Sequence, residues 1–434
     1  MGQIGKVPAV RLRTERVLPG LLFGLIAIAV IATLPQMRSA WEGARLDANE
    51  DFGLRWLREL MLMLILGSVM LERRFWQVMF AKPVAVTLMW LGSYTTFEVF
   101  YASYLGLPLI VAAVGLRTFE YLPLVLVGMM ASRIDSDGEL LGRFARYLRW
   151  FVLVEGGLAV AQALFAPPLH GVSPLGGSRA FGTFVAPNQF GVTMATCALV
   201  FAMAGRVETH KWLYLSGALT LLSGSRTAIL GFALVLGFRA YIKWPPRQRW
   251  IVVLAAPVLA VAALSLASTK AISGREIDLA EEGRLVLWAD LLSQQIQSAP
   301  DLLFGWGLGL GSSTVFTLFG ADAFPGQFVP DSLYVFLLSS FGIIGLVFYL
   351  AVVFATACRS AHRHRALFFG FLLAAGSSFN PFEYFPQNAL LLFLWGYVAS
   401  ASARYDRWKE VGGSNPLERE RLRPFGEVLL GKAG

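Results

Sequence analysis

The chain is built from a succession of long apolar runs separated by short segments that carry most of its charge. Twelve runs lie near 18–34, 57–71, 83–100, 119–132, 150–166, 188–204, 212–224, 227–242, 250–268, 331–357, 366–379 and 387–402. A water-soluble core of this size cannot bury so many; lipid can cover them. In lipid each run must satisfy its own backbone hydrogen bonds, which helices do internally. A mean hydropathy of +0.60 and a charged fraction of only 15% agree. The expected fold is all-α, a polytopic membrane bundle of about twelve transmembrane helices. Residues 104–115 are apolar but short for a crossing, short enough to be re-entrant, and 212–224 and 366–379 are also short.

Charge sets the orientation. With the N-terminus in the cytoplasm, the inside segments 1–17, 72–82, 133–149, 205–211, 239–249, 359–365 and 403–434 hold 27 of the 37 Lys and Arg residues. Both termini are therefore expected inside. Residues 1–403 form the membrane domain and 404–434 a cytoplasmic tail. The net charge of +9 is mostly an insertion signal, so no nucleic-acid partner is expected. The first apolar run is long and lacks a small-residue cleavage site, so no cleavable signal is expected. Cys197 and Cys358 both fall in apolar segments and imply no disulfide framework.

Two long segments lie outside, 167–187 and 269–330. The first is rich in Pro and Gly. The second contains GRLVLWADLLSQQIQ, in which Leu285, Trp288, Leu292 and Ile296 share one helical face and Asp290, Gln294 and Gln297 the other. This is an amphipathic helix expected to rest on the outer leaflet or on the bundle.

Outside cations are disfavoured by topology, so each needs a reason. Nine of the ten are Arg, whose guanidinium fork suits phosphate better than a point charge does. Arg179 follows GGS in the first long loop; Arg226 sits in LSGSRTAIL; Arg275 and Arg284 lie in GREIDLAEEGR. Local acids offer Arg275 and Arg284 ordinary ion pairs, Glu281 standing three residues before Arg284. Arg226 has no acid nearby in sequence. Asp331 opens the apolar run FVPDSLYVFLLSSFGIIGL, where a carboxylate serves as a helix N-terminal charge or as a reactive group. Tyr334, three residues on, shares its face.

The run LFGWGLGLGSS places Gly305, Gly307, Gly309 and Gly311 two apart. It lacks the Lys-Ser/Thr of a P-loop, and reads as a flexible or tightly turned approach to the membrane or, more weakly, as backbone that a phosphate could approach. The DSD at 135–137 sits in a short inside loop and reads as a turn. Glu98 and Glu155 lie within spans, where they mark a polar interior or structural hydrogen bonds. No metal-ligand spacing occurs, and no metal or other cofactor is expected.

Asn188-Gln189-Phe190-Gly191 opens a span; SGSRTAIL, GRLVLW, FGWGLGLG and DSLYVFLLSSFGIIGL follow in that order. The order and spacing, over roughly 180–350, resemble the O-antigen ligase and polymerase superfamily. The resemblance implies a glycosyltransferase of the bacterial inner membrane, with loops 167–187 and 269–330 forming a periplasmic active site. Its donor would be an undecaprenyl-pyrophosphate-linked glycan, its further partners membrane lipid and a chain-length regulator. Arg226 and Arg284 match the pyrophosphate-holding arginines, with Arg179 and Arg275 as further candidates and Asn188 and Tyr334 as other substrate contacts. Where the ligases carry a His-Asn pair, this chain carries Asp331-Ser332, which fits an exopolysaccharide or O-antigen polymerase better. Such a transferase needs a base for the attacking hydroxyl: Asp331, with Glu383 in NPFEYFPQN as the rival and His170 third.

The closest alternatives are an O-antigen ligase and a protein O-oligosaccharyltransferase. The distant alternative, a lipid-linked oligosaccharide flippase, should show charges in many spans and pseudo-symmetric halves, and no internal repeat is visible.

Overall fold

The structure is a computed structural model. It describes residues 11–41, 52–135, 138–165, 178–184, 186–205, 207–243, 284–311, 315, 319, 332–359, 364–378, 380, 382 and 384–410. Among these there is no β-strand, and most of them are helical. The helices are α1 (Arg11–Trp41), α2 (Phe52–Met70), α3 (Arg73–Met79), α4 (Lys82–Tyr104), α5 (Leu109–Leu116), α6 (Leu124–Ile134), α7 (Glu139–Phe165) and α8 (Pro187–Ala204). They continue as α9 (His210–Ser223), α10 (Arg226–Lys243), α11 (Arg284–Ile296), α12 (Ala299–Phe304), α13 (Leu333–Arg359), α14 (Arg365–Ser378) and α15 (Gln387–Glu410).

Three helical stretches among the described residues are long and apolar enough to cross a membrane: Leu109–Ile134, Glu139–Phe165 and Leu333–Cys358. The first joins α5 to α6 through the 3-10 turn Arg117–Phe119, so the short segment 104–115 and the run 119–132 are parts of one apolar stretch. The apolar run 250–268 lies outside the described residues.

Close backbone approach sets the packing. Gly128 of α6 and Gly396 of α15 face each other's helices. A Cβ on Gly128 would stand 2.8 Å from Tyr397 N, and one on Gly396 2.8 Å from Met129 N. Small residues let two helices meet without intervening side chains, which is how helices gain contact where lipid is as apolar as leucine. Asp135 is structural: it caps α7 by accepting from Leu140 N and Leu141 N, and it also accepts from the Tyr397 hydroxyl at 2.8 Å.

Helix α13 is two half-helices. Gly342 has φ 61° and ψ −167°, which interrupts the helical ladder. Three carbonyls beside the break find donors elsewhere: Leu338 O from Gln295 Nε2 at 2.6 Å, Ser339 O from Trp306 N at 2.7 Å, and Phe341 O from the Tyr94 hydroxyl at 2.7 Å. Away from water these bonds are obligatory. The closest contact of Gly342 is with the α12 segment, whose Leu303 carbonyl lies where a Cβ would go.

The glycine run follows from the same packing. Gly305, Gly307 and Gly309 have φ of +79°, +94° and +112°, a region closed to other residues. A Cβ on Gly305 would meet Phe341 N at 2.6 Å, and one on Gly309 would meet the Val111 carbonyl at 2.5 Å. The run is a tight, buried turn wedged between α5 and the break in α13.

Helix α11 forms where the amphipathic pattern places it. Leu291 and Gln295 are buried, while Leu292 and Ile296 are exposed. The reason is polar: Gln295 faces inward because the freed Leu338 carbonyl needs its amide, and that turns the apolar pair outward.

Candidate functional site

The site grows from the ends of α8, α9 and α10. Residues 223–226 explain its geometry. Gly224 adopts φ 62° and closes α9 with a left-handed cap. Ser225 then starts α10: its Oγ accepts from Ala228 N at 3.4 Å, an N-cap bond to the third helical residue. Arg226 is therefore the first residue of α10, projecting from a rigid two-residue corner.

The same end of the bundle carries the start of α8. Pro187 occupies its first turn, where the missing N–H costs nothing. Gly191, one turn on, lets α8 press against the corner, since a Cβ there would stand 2.9 Å from Ala228 Cβ and closer still to Ser223 Oγ. Two helix N-termini, α8 and α10, thus lie together at the C-terminal end of α9.

A strap, residues 178–184, crosses this corner and carries Arg179. It is held by three bonds to Gln162 and two to Glu155, both fully buried on α7. Gln162 Oε1 accepts from Phe181 N at 3.0 Å and Gly182 N at 2.7 Å, and its Nε2 donates to Gly182 O at 2.6 Å. Glu155 accepts from Thr183 N at 3.0 Å and from the Thr183 hydroxyl at 2.6 Å. Gly182, with φ +58°, is needed because a Cβ would collide with Glu155 Oε2. Buried polar groups satisfied this fully rigidify what they hold.

Arg179 is consequently fixed. Its Nε donates to Ser223 O at 2.9 Å, and its guanidinium donates to Asn188 Oδ1 at 3.1 Å. Ala180 N donates to Leu222 O at 3.1 Å and ties the strap to α9. The structure therefore brings together Arg179, Asn188 and, three residues beyond Ser223, Arg226. Asn188 is exposed and the two arginines are half-buried, so the cluster opens outward. Among the described residues no carboxylate pairs with Arg226.

Residues 212–350 match a family model described as O-antigen ligase. The match supports, over these residues, the resemblance to the O-antigen ligase and polymerase superfamily. The superfamily segment includes the Arg226 corner, α11, α12, the glycine run and most of α13; Arg179 and Asn188 precede it. No curated protein matches the chain. Together with the apolar helices, the superfamily match points to a membrane enzyme of the O-antigen ligase and polymerase type.

The other candidates are distributed as follows. Arg284 opens α11. The Tyr334 hydroxyl donates to the Leu373 carbonyl of α14 at 2.8 Å, which pins α13 to α14. Asp331, Glu383, Arg275 and His170 lie outside the described residues. The residues that sequence reasoning missed are Gln162 and Ser223: the first gave no signal beyond a lone amide in an apolar run, and the second acts through its carbonyl.

Proposed function

We propose that the chain is a membrane glycosyltransferase that polymerises repeat units of an exopolysaccharide or O-antigen at the periplasmic face of a bacterial inner membrane. Its donor is an undecaprenyl-pyrophosphate-linked oligosaccharide. The observation that carries the proposal is the convergence of Arg179, Asn188 and Arg226 at a corner where two helices begin. Helix N-termini and guanidinium groups both favour a multiply charged anion, and two guanidinium forks suit a pyrophosphate. The charge-based topology assigns this corner to the outside, in a twelve-span bundle with cytoplasmic termini and a tail from 404 to 434.

In the reaction an acceptor hydroxyl attacks the anomeric carbon of the donor. The new glycosidic bond forms as the bond from that carbon to the pyrophosphate oxygen breaks. The hydroxyl proton passes to a carboxylate, Asp331 in this reading and Glu383 in its rival, and the charge left on the pyrophosphate is held by Arg179 and Arg226, with Arg284 and Arg275 as further arms. A chain-length regulator would act on the growing product. The description of the matched family favours a second reading, an O-antigen ligase that transfers the finished glycan to the lipid A core.

The test is reconstitution of the purified protein with an undecaprenyl-pyrophosphate-linked repeat unit, with and without lipid A core. A ladder of products on the donor alone supports the polymerase. A single transfer that requires lipid A core establishes the ligase, and no transfer in either arm removes the glycosyltransferase reading.

A further inference from the structure

A second charged cluster lies apart from the arginine corner. Arg117, in the 3-10 turn before α6, is ion-paired with Glu59 of α2 and with Glu120 at 3.4 Å. Arg58, beside Glu59, stacks on Phe385 with its guanidinium carbon 5.3 Å from the ring centre. Tyr121 stacks on the same ring, centroids 5.0 Å apart. Phe119 meets Phe382 at 6.2 Å, so the turn 117–121 and the segment leading into α15 line one surface.

The polar atoms on that surface are not all satisfied. Arg58 Nε, Glu59 Oε2, the Tyr121 hydroxyl and Asn380 Nδ2 are buried and have no hydrogen-bond partner among the described residues. Tyr121 is 2% exposed and Asn380 fully buried. The Asn380 orientation is fixed by its Oδ1, which accepts from Phe382 N at 3.2 Å, so the free atom is a donor. The Tyr121 hydroxyl lies beside the Glu120 carboxylate, short of hydrogen-bond geometry. Orphaned polar atoms are costly and rare in a finished core, and four on one surface mark a place where a ligand completes the bonding.

The chemistry selects the ligand. Two guanidinium groups and two carboxylates cancel in charge, so neither an anion nor a cation is favoured. The open positions are mixed: Glu59 Oε2 accepts only, Arg58 Nε and Asn380 Nδ2 donate only, and the Tyr121 hydroxyl does either. A polyol presents both roles at each hydroxyl, whereas a phosphate would satisfy only the donors. The surrounding side chains of Arg117, Glu59 and Glu120 are 31%, 37% and 21% exposed, so the cluster reaches the protein surface although its four unpartnered atoms lie beneath it.

The cluster is also connected to the arginine corner. Phe385 is two residues from Gln387, which is hydrogen-bonded to Thr193 of α8 at 3.0 Å. Thr193 lies five residues along the same helix from Asn188, about 8 Å of rise.

We propose that the surface formed by Arg58, Glu59, Tyr121 and Asn380 is a saccharide subsite that holds the acceptor glycan. Its assignment to the acceptor rests on the glycosyltransferase reading; its preference for a neutral saccharide does not. The test uses two probes on the full chain: inorganic pyrophosphate, and the phosphate-free oligosaccharide released by mild acid from the producing cell's lipid-linked pool. Tyr121→Phe removes a hydroxyl with no protein partner, so its thermal midpoint should equal that of the wild type. Its affinity for the oligosaccharide should fall about tenfold, as should that of Glu59→Gln. Pyrophosphate affinity should be unchanged in both, and Arg226→Ala should show the converse pattern. Failure of the wild type to bind the oligosaccharide, or unaltered affinity in both variants, overturns the subsite. Tyr121-dependent saccharide binding without any pyrophosphate binding keeps the subsite and sinks the donor assignment.

Discussion

The guanidinium of Arg179 reaches from the strap to the first turn of α8 and donates to Asn188 Oδ1 at 3.1 Å, while its Nε holds the Ser223 carbonyl at 2.9 Å. One side chain thus joins the beginning of one helix to the end of another, three residues before Arg226. These bonds orient the fork.

That orientation predicts an asymmetry between the arginines. Arg226→Ala should reduce transfer by roughly 10²–10³, the loss typical of one charge-stabilising group, without altering the thermal midpoint. Arg226→Lys should restore little, because a point charge cannot grip two oxygens. Arg179→Lys should reduce transfer and also lower the midpoint, since it breaks the bridge to Ser223 and Asn188. Product ladders and thermal unfolding in detergent read both. An Arg226→Ala protein with full activity removes that residue from the site.

The strap yields a second prediction. Gln162 is fully buried and makes three bonds to residues 181 and 182. Gln162→Leu should leave these backbone groups unsatisfied, at about 1–3 kcal/mol each for the worst placed. The expected outcome is a lower thermal midpoint and transfer impaired through misplacement of Arg179, although no substrate contact is lost. Unchanged activity would show that the strap does not position Arg179.

The break in α13 carries a third. Gly342→Ala places a Cβ against the Leu303 carbonyl and forces a left-handed conformation that costs about 1–2 kcal/mol. Gln295→Leu removes the donor to Leu338 O and orphans a carbonyl away from water. Both should lower the thermal midpoint, Gly342→Ala more. Equal stability of Gly342→Ala and the wild type would mean that the half-helices are not locked by α12.

Much of this was legible in the sequence, and the failures have a common cause. NQFG reads as a helix opening because the apolar run begins there, and SGSR as the junction between two apolar runs. The arginines stood out because topology disfavours them. What was not legible depends on partners far along the chain. Gln295 sits on α11 like any polar residue, but it turns inward to serve a carbonyl 43 residues away. The glycine spacing cannot say whether a phosphate or a helix approaches, and here a helix does. The hydroxyl of Tyr334 could have faced a cavity with Asp331, yet it is bonded to Leu373.

Topology is tested by labelling. After replacement of Cys197 and Cys358, single cysteines at Leu175 and Gly320 should react with an impermeant maleimide in intact cells, and those at Ser136 and His362 only after permeabilisation. The split of 27 inside against ten outside cations motivates this pattern. The reverse pattern would move the arginine corner to the cytoplasm and end the periplasmic reading.

The last prediction concerns the base. Asp331 precedes α13, which begins at Leu333. If it is only a helix-terminal charge, Asp331→Asn should keep most activity, because asparagine caps about as well as aspartate. If it takes the proton of the attacking hydroxyl, the amide cannot, and the rate should fall by roughly 10²–10⁴. We expect the large loss, with donor binding intact, because the span that follows contains no other carboxylate. Glu383→Gln, assayed beside it on the same lipid-linked repeat unit, separates the two candidates. Near-normal turnover in the Asp331 variant together with loss in the Glu383 variant would transfer the role to Glu383.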